Sequence, residues 1–270
     1  MNIYQQGQYE PLKTCLLCYP VNFNITDKKS KYYNKIDKNL VVSQYNKFVN
    51  KLSCNGIEIN FIDTDDKLCN QIFIQDAGFV IEDILFISKM SDSSRMRESE
   101  YLKKYAIERN IKFYEMKNSA EGGDIIHYDN IVFVGLSSRT TMEACDEIRD
   151  VLTKVNSAVG VIPIRFDCSK VHLDTVFNIL DKGNAVISPY VYDREKIEKF
   201  ITNLYDISKE DADNMGTNYV YLGNKKIISC NKKVSSMLQS MGYDSEYIDY
   251  SEISKAGGGL ECSVLFLLRK

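Results

Sequence analysis

The stretch Asp124-Ile-Ile-His-Tyr-Asp-Asn-Ile-Val-Phe-Val134 reads as a β-hairpin. Two apolar runs of strand length flank Asp129-Asn130, residues suited to a tight connection between antiparallel strands. A helix over about 140–153 and a strand from Val159 to Phe166 follow. Outward from this segment the same unit recurs. Ahead of it, Asp76 to Ile81 turns at Glu82-Asp83 into Ile84 to Ser88, with a helix over about 94–109 and a strand from Lys112 to Met116. Behind it, His172 to Leu180 turns at Asp181-Lys182-Gly183 into Ala185 to Ser188, with a helix from about 193. Asn218 to Leu222 then turns at Gly223-Asn224 into Lys226 to Ser229, with a helix over about 231–241 and a strand at Glu246 to Ile248.

The register carries more than the elements do. The first polar residue of each hairpin is Asp76, Asp124, His172 and Asn218, and a fifth such strand opens at Cys262, in steps of 48, 48, 46 and 44 residues. These steps lie in the range of structural repeats. The fifth unit lacks its second half, which residues 14–62 supply as a strand (14–20), a helix (about 39–53, with Val42, Tyr45, Phe48, Val49 and Leu52 at helical spacing) and a strand (58–62). A closed ring of five hairpin–helix–strand units is therefore expected, with the two chain ends completing one of them. Equivalent positions in such a ring face one axis. Two carboxylates, an imidazole, an amide and a thiol then meet at one site.

Composition narrows the function. With 26% charged residues and a net charge of −3, the chain has neither the basic excess nor the polybasic run of a nucleic-acid binder. Its apolar runs are of strand length, well short of the roughly 20 residues of a membrane span. The N-terminus shows no signal-peptide pattern, so the eight cysteines read as reduced thiols of a cytoplasmic protein. Cys15 and Cys18 form a C-x-x-C, but within an apolar strand and without a second pair at zinc spacing. Only His127 and His172 can serve as imidazole acid or base.

More polar groups stand beside the register positions. Glu121-Gly-Gly-Asp124 places carboxylates on either side of a glycine pair, and in His172-Leu-Asp174 strand alternation puts imidazole and carboxylate on one side. Carboxylates raise a neighbouring thiol's pKa, so this set suits a cationic substrate rather than an ordinary amide. A guanidinium fits, because it is planar and pairs with carboxylates through parallel hydrogen bonds. Its charge would favour the Cys262 thiolate, which attacks the central carbon. His172 would protonate the departing amine and then activate water against the thiouronium intermediate. That chemistry needs neither metal nor cofactor.

Phe73-Ile-Gln-Asp76, Glu121-Gly-Gly-Asp124, Gly135-Leu-Ser-Ser-Arg139-Thr140, His172-Leu-Asp174 and Gly257-Gly-Gly-Leu-Glu-Cys262 together resemble the guanidino-group-modifying enzymes. That superfamily includes dimethylarginine dimethylaminohydrolases, arginine deiminases and amidinotransferases. The resemblance implies an α/β fold, the five-bladed α/β propeller (pentein) of ββαβ repeats, as a single catalytic domain over 1–270. It implies Cys262 as nucleophile, His172 as general acid and base, and Glu121 and Asp124 as the acidic pair near the histidine, Glu121 with a catalytic role and Asp124 facing the substrate. Asp76 is implied to bind the guanidinium, Asp174 to grip its second nitrogen, and Arg139 and Arg95 to hold an α-carboxylate. His127 is expected to be structural or exposed. Chain length and the Cys262-Ser-Val-Leu ending are most similar to the dimethylaminohydrolase branch. In that branch acids stand where Asn70 and Gln75 stand here, and a lysine where Asp174 stands, which turns the expectation toward an unmethylated guanidinium.

The resulting expectation is a hydrolase acting on arginine or an Nω-substituted arginine, releasing a citrulline-type product and ammonia or an amine. An amidinotransferase is the alternative within this fold, and a non-catalytic binding protein is the reading outside enzymology. The expected partner is a small guanidino compound, a homodimer is left open, Thr26–Lys38 is the candidate lid, and Glu261 has no assigned role.

Overall fold

In the computed structural model, which describes residues 1–270, each repeat closes its own three-stranded sheet. In chain order, β1 (Leu12–Leu17), α1 (Lys38–Cys54) and β2 (Glu58–Phe61) come first. The next unit is β3 (Gly78–Ile81), β4 (Ile84–Ile87), α2 (Met96–Glu108) and β5 (Phe113–Glu115). It is followed by β6 (Ile125–Tyr128), β7 (Ile131–Leu136), α3 (Met142–Lys154) and β8 (Gly160–Arg165). Then come β9 (Phe177–Asp181), β10 (Asn184–Ile187), the single-turn α4 (Arg194–Ile197), β11 (Asn203–Asp206) and the short α5 (Lys209–Asp213). The chain ends with β12 (Val220–Gly223), β13 (Lys226–Ser229), α6 (Lys232–Ser240), β14 (Asp244–Tyr247), the single-turn α7 (Ser251–Ser254) and β15 (Leu265–Arg269).

Local chemistry explains the repeated order. Glu82, Asp129 and Asn224 adopt left-handed φ values of 51°, 50° and 53°, which lets each hairpin reverse tightly. The hairpin strands pair antiparallel, and the following helix returns the chain so that the third strand lies parallel to the second. Ile84–Ile87 and Ile131–Val134 are buried throughout, as strands covered on both faces must be. Asp37, Thr141 and Asn231 cap α1, α3 and α6 by accepting first-turn amide hydrogens.

The unit split between the chain ends is present as expected. β15 pairs antiparallel with β1, and β1 pairs parallel with β2. Across sheets, β15 packs on β3, β6 on β9, β9 on β12, and β12 on β1. Apolar clusters fill the space between neighbouring sheets, for instance Phe79 and Phe86 of one with Val132 and Val134 of the next and Ile148 of α3. Cys15 and Cys18 are both buried, in different apolar clusters, so they are core thiols and not a pair. No helix is long and apolar enough to cross a membrane.

One expectation is corrected at every repeat. The register residues do not open strands. Asp76, Asp124 and Cys262 sit on, and His172 immediately precedes, single turns closed by i→i+3 hydrogen bonds, at Ile74–Ala77, Gly122–Asp124, Leu173–Thr175 and Glu261–Ser263, with strands starting one or two residues later. Asn218 lies on a comparable turn, its N–H donating to Met215 O at 3.2 Å. Strand alternation therefore does not relate His172 to Asp174, since His172 precedes the turn and Asp174 lies inside it. The turn itself aims both inward.

These turns pack against one another, and glycine is what lets them. A Cβ on Gly122 would stand 2.1 Å from Gln75 O and 2.5 Å from Gly78 O, both backbone atoms. Gly122→Ala is expected to destabilise the fold by about 3 kcal/mol or more, because two turns must separate. Urea denaturation measures it, and an unchanged midpoint would contradict this packing.

Candidate active site

Glycines bring the last turn to the others. Gly257 has φ 88°, and a Cβ on Gly258 would lie 2.4 Å from the Phe73 ring. Cys262 is thereby set into the wall of a cavity of about 120 Å³, together with Asp76, His172, Phe73, Arg95 and Arg139. Asn70, Asp92 and Thr175 also line it. Thr26–Lys38 contributes no lining residue; its Tyr32 instead lies under Lys255, 5.4 Å from the ring centroid.

His172 is held between carboxylates. Its Nε2 is 3.0 Å from Glu121 Oε2, and its Nδ1 is 3.4 Å from Asp76 Oδ1. Burial opposes the charged ring, but Asp76 first, then Glu121, Asp124 and Asp174, outweigh it and push the pKa up to about 10. His172 is thus an imidazolium at neutral pH, hydrogen-bonded through Nε2 to Glu121, while Nδ1 is paired with Asp76 by charge only. Asp76, Glu121 and His172 bring possible ligand atoms within 4.8 Å of one another, and a metal there would have to displace the proton that these carboxylates favour on His172. Glu121 accepts from the Ser91 amide and hydroxyl as well, and despite burial its His172 hydrogen bond holds it below the usual carboxylate range.

The two arginines differ. Arg95 is buried and spends its donors inside the protein, on Asp76 Oδ2 (2.7 Å) and Glu98 Oε2 (2.7 Å). Rather than standing free for an α-carboxylate, it fixes Asp76 from behind. Arg139 is partly exposed, its Nη1 3.6 Å from Glu121 and 4.0 Å from Asp92. Asp124 also departs from its expected place. Its oxygens accept from the Leu173 amide (2.9 Å) and the Ser137 hydroxyl (2.6 Å), so that, although Glu121 and Asp174 do not line the cavity either, Asp124 unlike Asp174 keeps no oxygen without a protein donor. It fastens the turn that follows His172 instead of facing a substrate.

Around the sulfur, Asp174 Oδ2 lies 3.5 Å from Cys262 Sγ and accepts from Asn218 Nδ2 at 2.9 Å. With its amide nitrogen turned inward, Gln75 donates to the same oxygen at 2.9 Å. Burial raises the Asp174 carboxyl, and burial with Asp174 and Asp76 raises the Cys262 thiol well above its ordinary value. Two buried oxygens, Asp76 Oδ1 and Asp174 Oδ1, accept no hydrogen bond from the protein. Glu261, beside Cys262 in sequence, turns away toward Asn178 and Gln8. His127 is fully buried in β6, away from the cavity.

The family model described as N,N dimethylarginine dimethylhydrolase, eukaryotic, matches residues 21–269. This chain belongs to the dimethylarginine dimethylhydrolase family. Within the wider group of relatives, the chain is 30% identical to YkgA of Bacillus subtilis, an uncharacterized protein, over 97% of this chain and 94% of that one. It is 22% identical to the N(G),N(G)-dimethylarginine dimethylaminohydrolase of Streptomyces coelicolor, over 84% and 86% of the two chains. The N-terminal domain of ArgZ, a cyanobacterial arginine dihydrolase solved with its substrate, superposes with a TM-score of 0.86 at 21% identity, covering 95% of this chain and 98% of that one. A dimethylarginine dimethylaminohydrolase from Pseudomonas aeruginosa superposes with a TM-score of 0.81 at 19% identity, covering 94% and 99%. The dimethylarginine dimethylhydrolase fold is thereby placed on α/β repeats of small sheets.

The motifs contain Gln75 and Ser137 without giving them these hydrogen bonds, and they leave out Ser91 and Glu98, the rest of the supporting layer of this family member. Each is a common polar residue, and its only signal was nearness in sequence to Asp92, Arg139, Asp76 and Arg95.

Proposed function

We propose that this chain is a hydrolase of a guanidino C–N bond in an arginine-like amino acid, acting through a covalent intermediate on Cys262. Residues 1–270 form a single catalytic domain, and the pairwise packing of neighbouring sheets supports a closed five-bladed ring. The observation carrying the reading is the pair of buried carboxylate oxygens without protein donors, on Asp76 and Asp174, beside a thiol and an imidazolium. A planar cation supplies the donors such oxygens require.

Guanidinium binding offsets the anionic surroundings of Cys262, and the thiol loses its proton to solvent. The S–C bond forms at the central carbon, and the C–N bond to the leaving amine breaks as His172 gives that nitrogen its proton. Water then adds to the thiouronium carbon, returning a proton to His172. The C–S bond breaks as the added hydroxyl gives its remaining proton to solvent, leaving a ureido product and the thiolate. Arg139 at the cavity mouth is assigned the substrate α-carboxylate, and Glu121 keeps His172 oriented and charged. Arg95 and Asp124 position Asp76 and His172.

Asp174→Asn removes one charge from the clamp while keeping its shape. It is expected to raise KM for an unmethylated guanidino substrate by about a hundredfold, the scale of one lost buried charge-assisted pair. An unchanged KM would contradict the two-sided grip. The pH profile follows from the same groups. His172 must be protonated to act as acid, and with its pKa raised to about 10 it stays so until pH rises through that value, above which kcat/KM is expected to fall.

A further inference from the structure

We propose that Asn218 is a catalytic residue, its side-chain nitrogen donating a hydrogen bond that stabilises the Cys262 thiolate. The inference rests on the reading of Cys262 as nucleophile and deepens it. The orientation of the amide is forced by its neighbours. Asn218 is fully buried, and its Oδ1 accepts from the Glu261 and Cys262 backbone amides at 3.0 and 3.4 Å. Its Nδ2 therefore faces Asp174 Oδ2 at 2.9 Å and Cys262 Sγ at 3.2 Å. Exchanging the two atoms would set oxygen against a carboxylate and NH₂ against two N–H groups.

The side chain thus has two effects at one point. It fixes the turn that carries the nucleophile, and it presents a neutral donor to a sulfur otherwise flanked by anions, Asp174 and Asp76. A hydrogen bond to a charged acceptor is stronger than one to a neutral acceptor, so the donor favours thiolate over thiol. The last of the three glycines belongs to the same device. A Cβ on Gly259 would stand 2.5 Å from Asn218 Oδ1, forcing the amide off the sulfur.

Iodoacetamide alkylation of Cys262 across pH, read by peptide mass spectrometry on the full chain, tests this without any substrate. The exposed Cys54 serves as reference within each sample. In Asn218→Ala the Cys262 rate at pH 8 is expected to fall about tenfold or more relative to Cys54, with the profile displaced to higher pH. Asn218→Asp keeps the acceptor for both backbone amides and replaces only the donor, so it decides the matter if the alanine variant fails to fold. Its displacement is expected to be larger still. Gly259→Ala is expected to shift the profile in the same direction. Profiles of folded Asn218→Ala or Asn218→Asp that superimpose on the parent would overturn the proposal. Because alkylation needs no guanidino compound, a chain that turns none over would sink the functional reading while leaving this result standing.

Discussion

Cys262→Ser is expected to lower turnover of any guanidino substrate by roughly four orders of magnitude or more, with binding retained. A serine hydroxyl is far less acidic than a thiol, and the carboxylates beside it are too weak as bases, and too committed to the cation, to ionise it. His172 is already protonated and stays so up to about pH 10. Asp76 is tied to Arg95, and Asp174 shares its Oδ2 with Asn218. The thiol differs because a guanidinium cation close to the sulfur suffices to ionise it. The clamp formed by Asp76 and Asp174 is untouched, so isothermal calorimetry should find the substrate bound about as tightly as by the parent. Serine turnover within tenfold of the parent would remove Cys262 from the chemistry.

His172→Gln is the second large effect, an expected loss of about 10²–10⁴ in kcat. Glutamine keeps a donor toward Glu121 but cannot release a proton to the departing amine or take one from water. A substrate whose leaving group is a thiolate departs without protonation, so it should restore the first step and accumulate the adduct on Cys262. Glu121 is expected to lose its low pKa in this variant, since the His172 hydrogen bond is what holds it down. Stability should fall too, by about 3–5 kcal/mol, because the removed charge leaves the buried Asp76 and Glu121 without it. Equal rates for amine and thiol leaving groups would contradict the proton-donor role.

How much of this was legible in the sequence depends on what kind of information spacing carries. The register of Asp76, Asp124, His172, Asn218 and Cys262 is a one-dimensional fact, and it located all five inner turns. The fold class followed because hairpin turns such as Asp129-Asn130 have a local cause that does not wait for tertiary contacts. Direction was not legible. Asp76 and Asp124 occupy equivalent positions, yet one faces the cavity and the other is bound to Leu173 and Ser137. Nothing in the spacing distinguishes them; the partners do. Arg95 shows the same limit, since its engagement depends on Glu98, one helical turn further on. The strand β11 escaped for a different reason. Asn203-Leu-Tyr-Asp206 is a four-residue edge with little apolar content, and it is a strand only because β10 offers it partners. Glu261, without a role in the sequence, faces Asn178 and Gln8, away from Cys262.

The reading stands or falls on a guanidino carbon becoming bonded to Cys262. The direct measurement is acid-quench mass spectrometry of the full chain during incubation with arginine, methylated arginines, agmatine or guanidinoacetate, with product analysis in parallel. An amidino adduct on the Cys262 peptide is expected with at least one of them, together with ureido product and released amine or ammonia in equal amounts. Neither should appear with Cys262→Ser. Ureido product formed equally fast by the serine variant, or no turnover of any of these compounds, would contradict it.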